Sequence, residues 1–406
     1  MFRHLALWIG VLLLLTACAL PLVKEAGQGP TAGGGGGTGY LPETADVSLK
    51  AGPTAQDITY PVLFGTTRKP IAGADGRTVV GFSEVRDSVI HYGQVSVEVP
   101  AGHEVGSLGD SLFGNWGLAS DPELKVVRVQ VSSNKSAFID FARGAIAPAT
   151  NPQDSYLVVF IHGYNNSFEA AAKRAAQLGV DLGVPPNNMF LFSWASRGSI
   201  PDYTYDEATI DASEIYLRQY LETVIKIANG RKIHLVAHSM GNRALLRVVS
   251  IGVATFRQQG VKFGQIILAA ADVDRDVFAQ LGPNYLDVSD RTTVYLSPYD
   301  FAVRQSVRVH DAPRAGCGTA PQVVIPGIDN IVSTERESFP YHAYFAETVP
   351  MLSDIKSLIL KNKPARSGKG WQYRVGGYWI AGPPLDAGKV LCKTDSPVVV
   401  KASTAE

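Results

Sequence analysis

Ser239 stands in the run Ile233-His234-Leu235-Val236-Ala237-His238-Ser239-Met240-Gly241-Asn242. An apolar, strand-like segment leads straight into the serine, and a helix-like segment opens straight after it. A serine hydroxyl becomes a useful nucleophile only when a neighbouring base takes its proton and hydrogen-bond donors await the oxyanion. A sharp strand-to-helix turn can present such a hydroxyl, but it crowds the positions two before and two after the serine. Ala237 and Gly241 supply the small side chains required there, in an A-x-S-x-G pattern. Helix capping is the plainer role for a serine at such a place, and it leaves the two small flanks unexplained.

The other parts of acyl-transfer chemistry follow from chain order. The N–H of Met240, at the start of the helix, is the first oxyanion donor. The second is expected in the loop Phe160-Ile161-His162-Gly163-Tyr164-Asn165-Asn166, whose His162-Gly163 pair resembles the oxyanion loop of α/β-hydrolases, with the N–H of Tyr164 as donor. In a Ser–acid–His order the base comes last. His342, in Phe339-Pro340-Tyr341-His342-Ala343-Tyr344-Phe345, has that place, with His310 and His162 as alternatives. Asp300, just past the strand-like Val294–Leu296, is expected to accept the histidine N–H and fix its tautomer. Asp272 and Asp274, after the preceding strand, are the alternative acids, although an acid beside Arg275 also suits a helix start.

Alternating and short apolar runs predict the elements that carry these residues. Strands are expected at Val89–Val99, Leu124–Val131, Tyr156–Ile161, Met189–Phe192, Ile233–Ala237, Gln265–Ala270 and Thr292–Leu296, with an edge strand within Pro321–Ser333. Helical spacing runs over Phe168–Leu178, Asp206–Ala228, Asn242–Val253 and Met351–Leu360. Ile210, Ile215, Leu217, Leu221 and Ile225 are the expected inward positions of the long helix. Five strands in series from Tyr156, most with helices between them, predict an α/β fold. Its central sheet is mostly parallel and flanked by helices, with additional N-terminal strands.

Taken together, Thr67-Arg68, Tyr92-Gly93, Ile161-His162-Gly163-Tyr164-Asn165, Phe192-Ser193-Trp194, Ala237–Asn242, Ala271-Asp272-Val273-Asp274, Tyr295-Leu296-Ser297 and His342-Ala343-Tyr344-Phe345 resemble a bacterial family of α/β-hydrolases of unknown function in the esterase/lipase superfamily. The resemblance spans about Val62 to Leu360. Ala195 stands where relatives tend to have Pro, and Ala343 replaces a small hydroxyl residue. The resemblance implies an α/β-hydrolase fold and hydrolase membership, and it names no substrate.

The segment Phe192–Asp206 leaves a strand on the same edge, so Trp194 and Arg197 are substrate-binding candidates. Arg68 could equally hold a structural hydrogen-bond network. At the N-terminus, Leu5–Leu15 is nearly continuous apolar sequence after Arg3 and His4, too short to span a bilayer comfortably. Leu15-Thr16-Ala17-Cys18 resembles a bacterial lipobox. It predicts a lipoprotein signal peptide over 1–17, acylation at Cys18 and a flexible tether over 18–57, ahead of an α/β-hydrolase domain over 58–361 and a C-terminal extension over 362–406. Such a chain would be lipid-anchored in the cell envelope. Ala19 favours the outer membrane, facing the periplasm, in a Gram-negative host. Cys317 and Cys392 could pair there.

The 406 residues carry 37 Lys+Arg and 37 Asp+Glu, a balance that argues against broad nucleic-acid binding. No spaced Cys/His set, HExxH or dinucleotide fingerprint is present, so neither metal nor cofactor is expected. The expected activity is hydrolysis of a carboxylic ester or related acyl bond in a small-molecule or lipid-like substrate. A serine peptidase or amidase, or a non-catalytic lipid-anchored scaffold on the same fold, are the alternatives.

Overall fold

The computed structural model describes residues 56–109, 123–146, 148, 156–319, 323–336, 340–368, 370–374 and 376–390. The leader, Cys18 and nearly all of the tether lie outside them, as does Cys392. Among the described residues, no helix is long and apolar enough to cross a membrane.

The chain enters through β1 (Ile58–Ala72), β2 (Val79–Val99), β3 (Lys125–Val131) and α1 (Lys135–Ala145). Strands and helices then alternate: β4 (Tyr156–Ile161), α2 (Phe168–Leu182), β5 (Met189–Ser193), α3 (Tyr203–Ala212), α4 (Glu214–Ala228), β6 (Lys232–His238) and α5 (Gly241–Gln258). Next come β7 (Phe263–Ala269), α6 (Arg275–Leu281), α7 (Asn284–Val288), β8 (Ser289–Leu296), α8 (Phe301–His310) and β9 (Ile328–Ser333). The last elements are α9 (Tyr344–Glu347), α10 (Val349–Lys361), β10 (Trp371–Arg374) and β11 (Tyr378–Ala381).

Among the described residues, all the strands join one eleven-stranded sheet in the order β10-β11-β9-β8-β7-β6-β4-β5-β1-β2-β3. From β11 to β1 every neighbour is parallel, and antiparallel pairs occur only at the two ends. The central strands are buried on both faces, which explains their continuous apolar runs. Along β4, Leu157, Val159 and Ile161 pack with α4 and α5 through Leu217, Leu221, Ala244 and Leu245. Tyr156, Val158 and Phe160 point the other way, toward Ala171, Ala172, Ala175 and Ala176 of α2 and Met351 and Ile355 of α10.

Some expectations need correction. The segment 206–228 is not one helix: the Ser213 N–H donates to the Ile210 carbonyl at 3.0 Å and its hydroxyl to the Thr209 carbonyl at 2.7 Å, and α3 ends there before α4 begins at Glu214. Ile215, just past the break, is 54% exposed and does not face the core. The predicted strand at Val89–Val99 begins ten residues earlier, at Val79, and forms a long hairpin with β1. The strand found within Pro321–Ser333, β9, is not an edge, because β11 pairs parallel with its outer side. Cys317 is disulfide-bonded.

The strand order reverses at β4, with β5 on one side and β6 on the other. Loops leaving β4 and β6 therefore diverge over a crevice at the carboxyl edge of the sheet, where α/β folds place their sites. At the far end, Arg366 ties the C-terminal segment to the sheet layer. Its buried guanidinium meets Asp354 at 3.0 Å and Asp329 at 2.8 Å, and Asp354 also accepts the Tyr295 hydroxyl at 2.7 Å. Breaking such a buried pair on one side leaves a carboxylate uncompensated. Arg366→Met should lower the unfolding free energy by about 3–5 kcal/mol in urea titration. A loss below about 1 kcal/mol would show that this pair does not secure the segment.

Candidate active site

Ser239 occupies the turn between β6 and α5 with φ of 53°, inside the left-handed region that non-glycine residues avoid. Its N–H donates to the Ala269 carbonyl of β7 at 2.9 Å, and its carbonyl accepts the N–H of Asp272 at 3.2 Å. The Asn242 side-chain amide adds a brace, donating to the carbonyls of Ala237, Ser239 and Ala269 at 3.2, 3.0 and 3.1 Å. An Asn in the first turn of a helix has many ordinary uses. Only the convergence of three carbonyls identifies its role here, which sequence reasoning missed. The two glycines permit the close approach of the β4 loop. A Cβ on Gly241 would lie 2.6 Å from the His162 carbonyl oxygen, and one on Gly163 would lie 2.6 Å from Cβ of Ser239.

Asp300 and His342 meet from the ends of β8 and β9. The His342 Nδ1–H lies 2.7 Å from Oδ2 and 2.9 Å from Oδ1 of Asp300. Asp300 is fully buried and also caps α8, accepting the Val303 N–H at 2.9 Å. The Phe301 N–H donates to the Pro340 carbonyl at 3.1 Å, tying the acid's turn to the histidine loop. Burial works against protonation of His342. The Asp300 carboxylate in contact, with Asp272 and Glu347 farther away, outweighs it and holds the imidazole above the ordinary histidine range. Beside it, His238 donates Nε2–H to the His342 carbonyl at 3.1 Å, with ring centroids 4.6 Å apart. Burial, reinforced by His342, pushes His238 well below that range, so it stays neutral.

The alternative residues are engaged elsewhere. Asp272 accepts the Tyr203 hydroxyl at 2.5 Å and the Ser306 hydroxyl, with Arg314 Nε at 3.4 Å. Asp274 caps α6 through the N–H groups of Asp276 and Val277. His310 bridges Glu207 at 2.6 Å and the Ser306 carbonyl at 2.8 Å. His162 is fully buried, with Nδ1–H on the Gly163 carbonyl at 2.8 Å, and burial followed by nearby Arg68 lowers it to about 3.

Trp194 is fully buried, stacks on His162 at 5.1 Å and donates its indole N–H to the His162 carbonyl at 2.8 Å. It supports the loop from behind. Arg197 is 41% exposed, pairs with Asp202 at 3.0 Å and covers the Tyr205 ring at 3.6 Å. Together with Glu84 and Val85, these three residues line a cavity of about 310 Å³. Tyr164 follows Gly163 directly, and Met240 heads α5 with φ of −61°. The Tyr164 hydroxyl donates to the Ser199 carbonyl at 3.2 Å, and its ring meets Tyr203 edge-on.

The closeness of Gly163 to Ser239 makes a stability test. Gly163→Ala forces a methyl group against Cβ of Ser239 and the His238 carbonyl, 3.0 Å away. It should lower the unfolding free energy by about 1–3 kcal/mol, measured by denaturant titration. An unchanged midpoint would contradict the tight apposition of the two loops.

Comparison with known proteins adds the family context. No curated protein matches the chain. Residues 145–323, which carry the serine turn, the β4 loop and Asp300, match the model of a family described as alpha/beta hydrolase of unknown function (DUF900), and the sheet built around them is an α/β-hydrolase fold.

Proposed function

We propose that this protein is a serine hydrolase that cleaves a carboxylic ester through an acyl-enzyme. The observation that carries the reading is the contact of the His342 Nδ1–H with buried Asp300 at 2.7 Å, beside a serine held in a left-handed strand-to-helix turn. With Nδ1–H fixed on Asp300, Nε2 is the nitrogen left to accept the Ser239 proton. The Ser239 oxygen attacks the ester carbonyl, and the N–H groups of Met240 and Tyr164 receive the oxyanion. His342 then passes its proton to the leaving alcohol, and the acyl group stays on Ser239. A water molecule, deprotonated by His342, attacks the acyl-enzyme and releases the acid. Asp300 stays ionised throughout and steadies the imidazolium.

The environments of the three nearby histidines support this assignment of roles. His162 and His238 are kept neutral by burial, whereas His342 alone faces a carboxylate in contact. The substrate we propose is a small or lipid-like acyl ester, reached by an enzyme held in the cell envelope through an acylated Cys18. An acyl mass on a mature N-terminus beginning at Cys18 is the expected result of mass spectrometry. A mature chain that begins elsewhere without one removes the anchor.

Purified protein should hydrolyse p-nitrophenyl acetate, and Ser239→Ala should reduce the rate to the solution background. Equal hydrolysis by Ser239→Ala would contradict the mechanism. Because His342 must be neutral to act as base, and its acid form is favoured beyond the ordinary range, activity is full above the raised value and falls as pH drops through it. The acid limb of kcat/KM should therefore lie above about 6.5. Asp300→Asn removes the carboxylate in contact that does most to raise it, leaving burial against only the more distant Asp272 and Glu347, so the limb should move to lower pH while the rate falls by about 10⁴. A limb that stays in place would reject Asp300 as the partner of His342.

A further inference from the structure

Arg68 lies on β1, outside the segment that matches the family model. It is fully buried, and among the described residues none of its side-chain donors contacts a carboxylate. Nη2 donates to the Asn166 carbonyl at 2.6 Å, Nη1 to the Ser196 carbonyl at 2.8 Å and Nε to the Ser193 hydroxyl at 3.0 Å. Ser193 in turn stands 3.4 Å from His162 Nε2, whose other nitrogen is on the Gly163 carbonyl. The guanidinium thus reaches both ends of the β4 loop, from His162 to Asn166.

Asp206 on α3 is fully buried on the same loops and takes the complementary groups. It accepts the Ser196 hydroxyl at 2.5 Å, the Arg197 N–H at 3.0 Å and the Asn165 N–H at 3.5 Å. The Asn166 N–H closes the set on Ser196 Oγ at 3.0 Å. The cation holds carbonyls of residues 166 and 196, while the anion holds N–H and O–H groups of residues 165, 196 and 197. Glu84 also faces Arg68 from the neighbouring hairpin strand. Buried charges of this kind persist when their field is satisfied by fixed dipoles and an opposite charge nearby. Here the dipoles belong to the loop that runs from Gly163 through Tyr164, and Asn165 in it adopts a left-handed φ of 58°.

We infer that Arg68 and Asp206 form one positioning device, an ion pair bridged by the β4 and β5 loops, which sets the Tyr164 N–H for the oxyanion. This rests on the hydrolase reading of Ser239. Neither residue touches the substrate. Their effect is on the placement of a donor, where a displacement of about 1 Å costs about 100-fold in rate.

The test compares Arg68→Met, Arg68→Lys, Asp206→Asn and the double variant Arg68→Met/Asp206→Asn as full-length proteins. Hydrogen exchange should rise about tenfold at residues 163–167 and 196–198 in each neutralised single variant. The kcat for p-nitrophenyl acetate should fall about 100-fold with KM changed less than about threefold. Arg68→Lys should recover part of the rate. The acid limb of the pH profile should not move, because His342 and Asp300 are untouched. The double variant should melt higher than either single variant, since no buried charge is left alone, yet remain slow. If Arg68→Met does not fold, Ser196→Ala removes one bridging hydroxyl and keeps both charges, with the same rise in exchange expected. Unchanged exchange, or faster exchange with an unchanged kcat, would overturn the inference. If the wild type lacks Ser239-dependent hydrolysis, the esterase reading fails and the positioning role fails with it, whereas exchange still decides whether the two charges hold the loops.

Discussion

At Ser239 the chain passes from β6 into α5 with φ of 53°, a conformation that presses an L-residue against its own carbonyl and costs about 1–2 kcal/mol. The surroundings must supply that energy and leave room for the turn. They do so with backbone bonds to Ala269 and Asp272, the three-carbonyl brace of Asn242, and glycines at 163 and 241 where a methyl group would collide. Asn165 and Tyr341, next to the other loops of the site, share the left-handed conformation, with φ of 58° and 57°. Strain of this kind collects where geometry serves chemistry, and it survives only under strong local constraint.

The site also shows how environment separates side chains of one type. His162, His238 and His342 lie close together at the carboxyl edge of the sheet. Two of them are desolvated against apolar or cationic neighbours and keep their protons fixed in backbone hydrogen bonds. The third faces Asp300, and burial of both groups strengthens that interaction. Carboxylates divide in the same way. Asp300 receives the histidine, Asp272 is held by Tyr203, Ser306 and Arg314, and Asp274 caps a helix.

Much of the fold was legible because both faces of the central strands are covered, so short apolar runs bounded by turns mark them clearly. The serine turn was legible because its crowding restricts the residues two before and two after it. Asp300 and His342 could be placed by strand order, since each follows a parallel strand whose carboxyl end lies on the same edge. Other features have no local signal. The break at Ser213 depends on one backbone bond and one hydroxyl bond inside a pattern that is helical throughout. Trp194 sits at a strand end like a cleft residue, and its burial comes from stacking on a histidine more than thirty positions earlier. The partners of Arg68 are spread over residues 83 to 196, joined only when β1 lies beside β5. The strands β10 and β11 are short and aromatic, and the pairing of β11 with β9, with β10 outside it, follows from an edge that the sequence does not display.

The central claim is that Ser239 is the nucleophile. The most direct measurement is intact-mass and peptide mass spectrometry after treatment with a fluorophosphonate. The account predicts one covalent adduct per chain, carried by the peptide containing Ser239 and prevented by prior heat denaturation. An unmodified protein, or an adduct on another residue with Ser239 free, would contradict it.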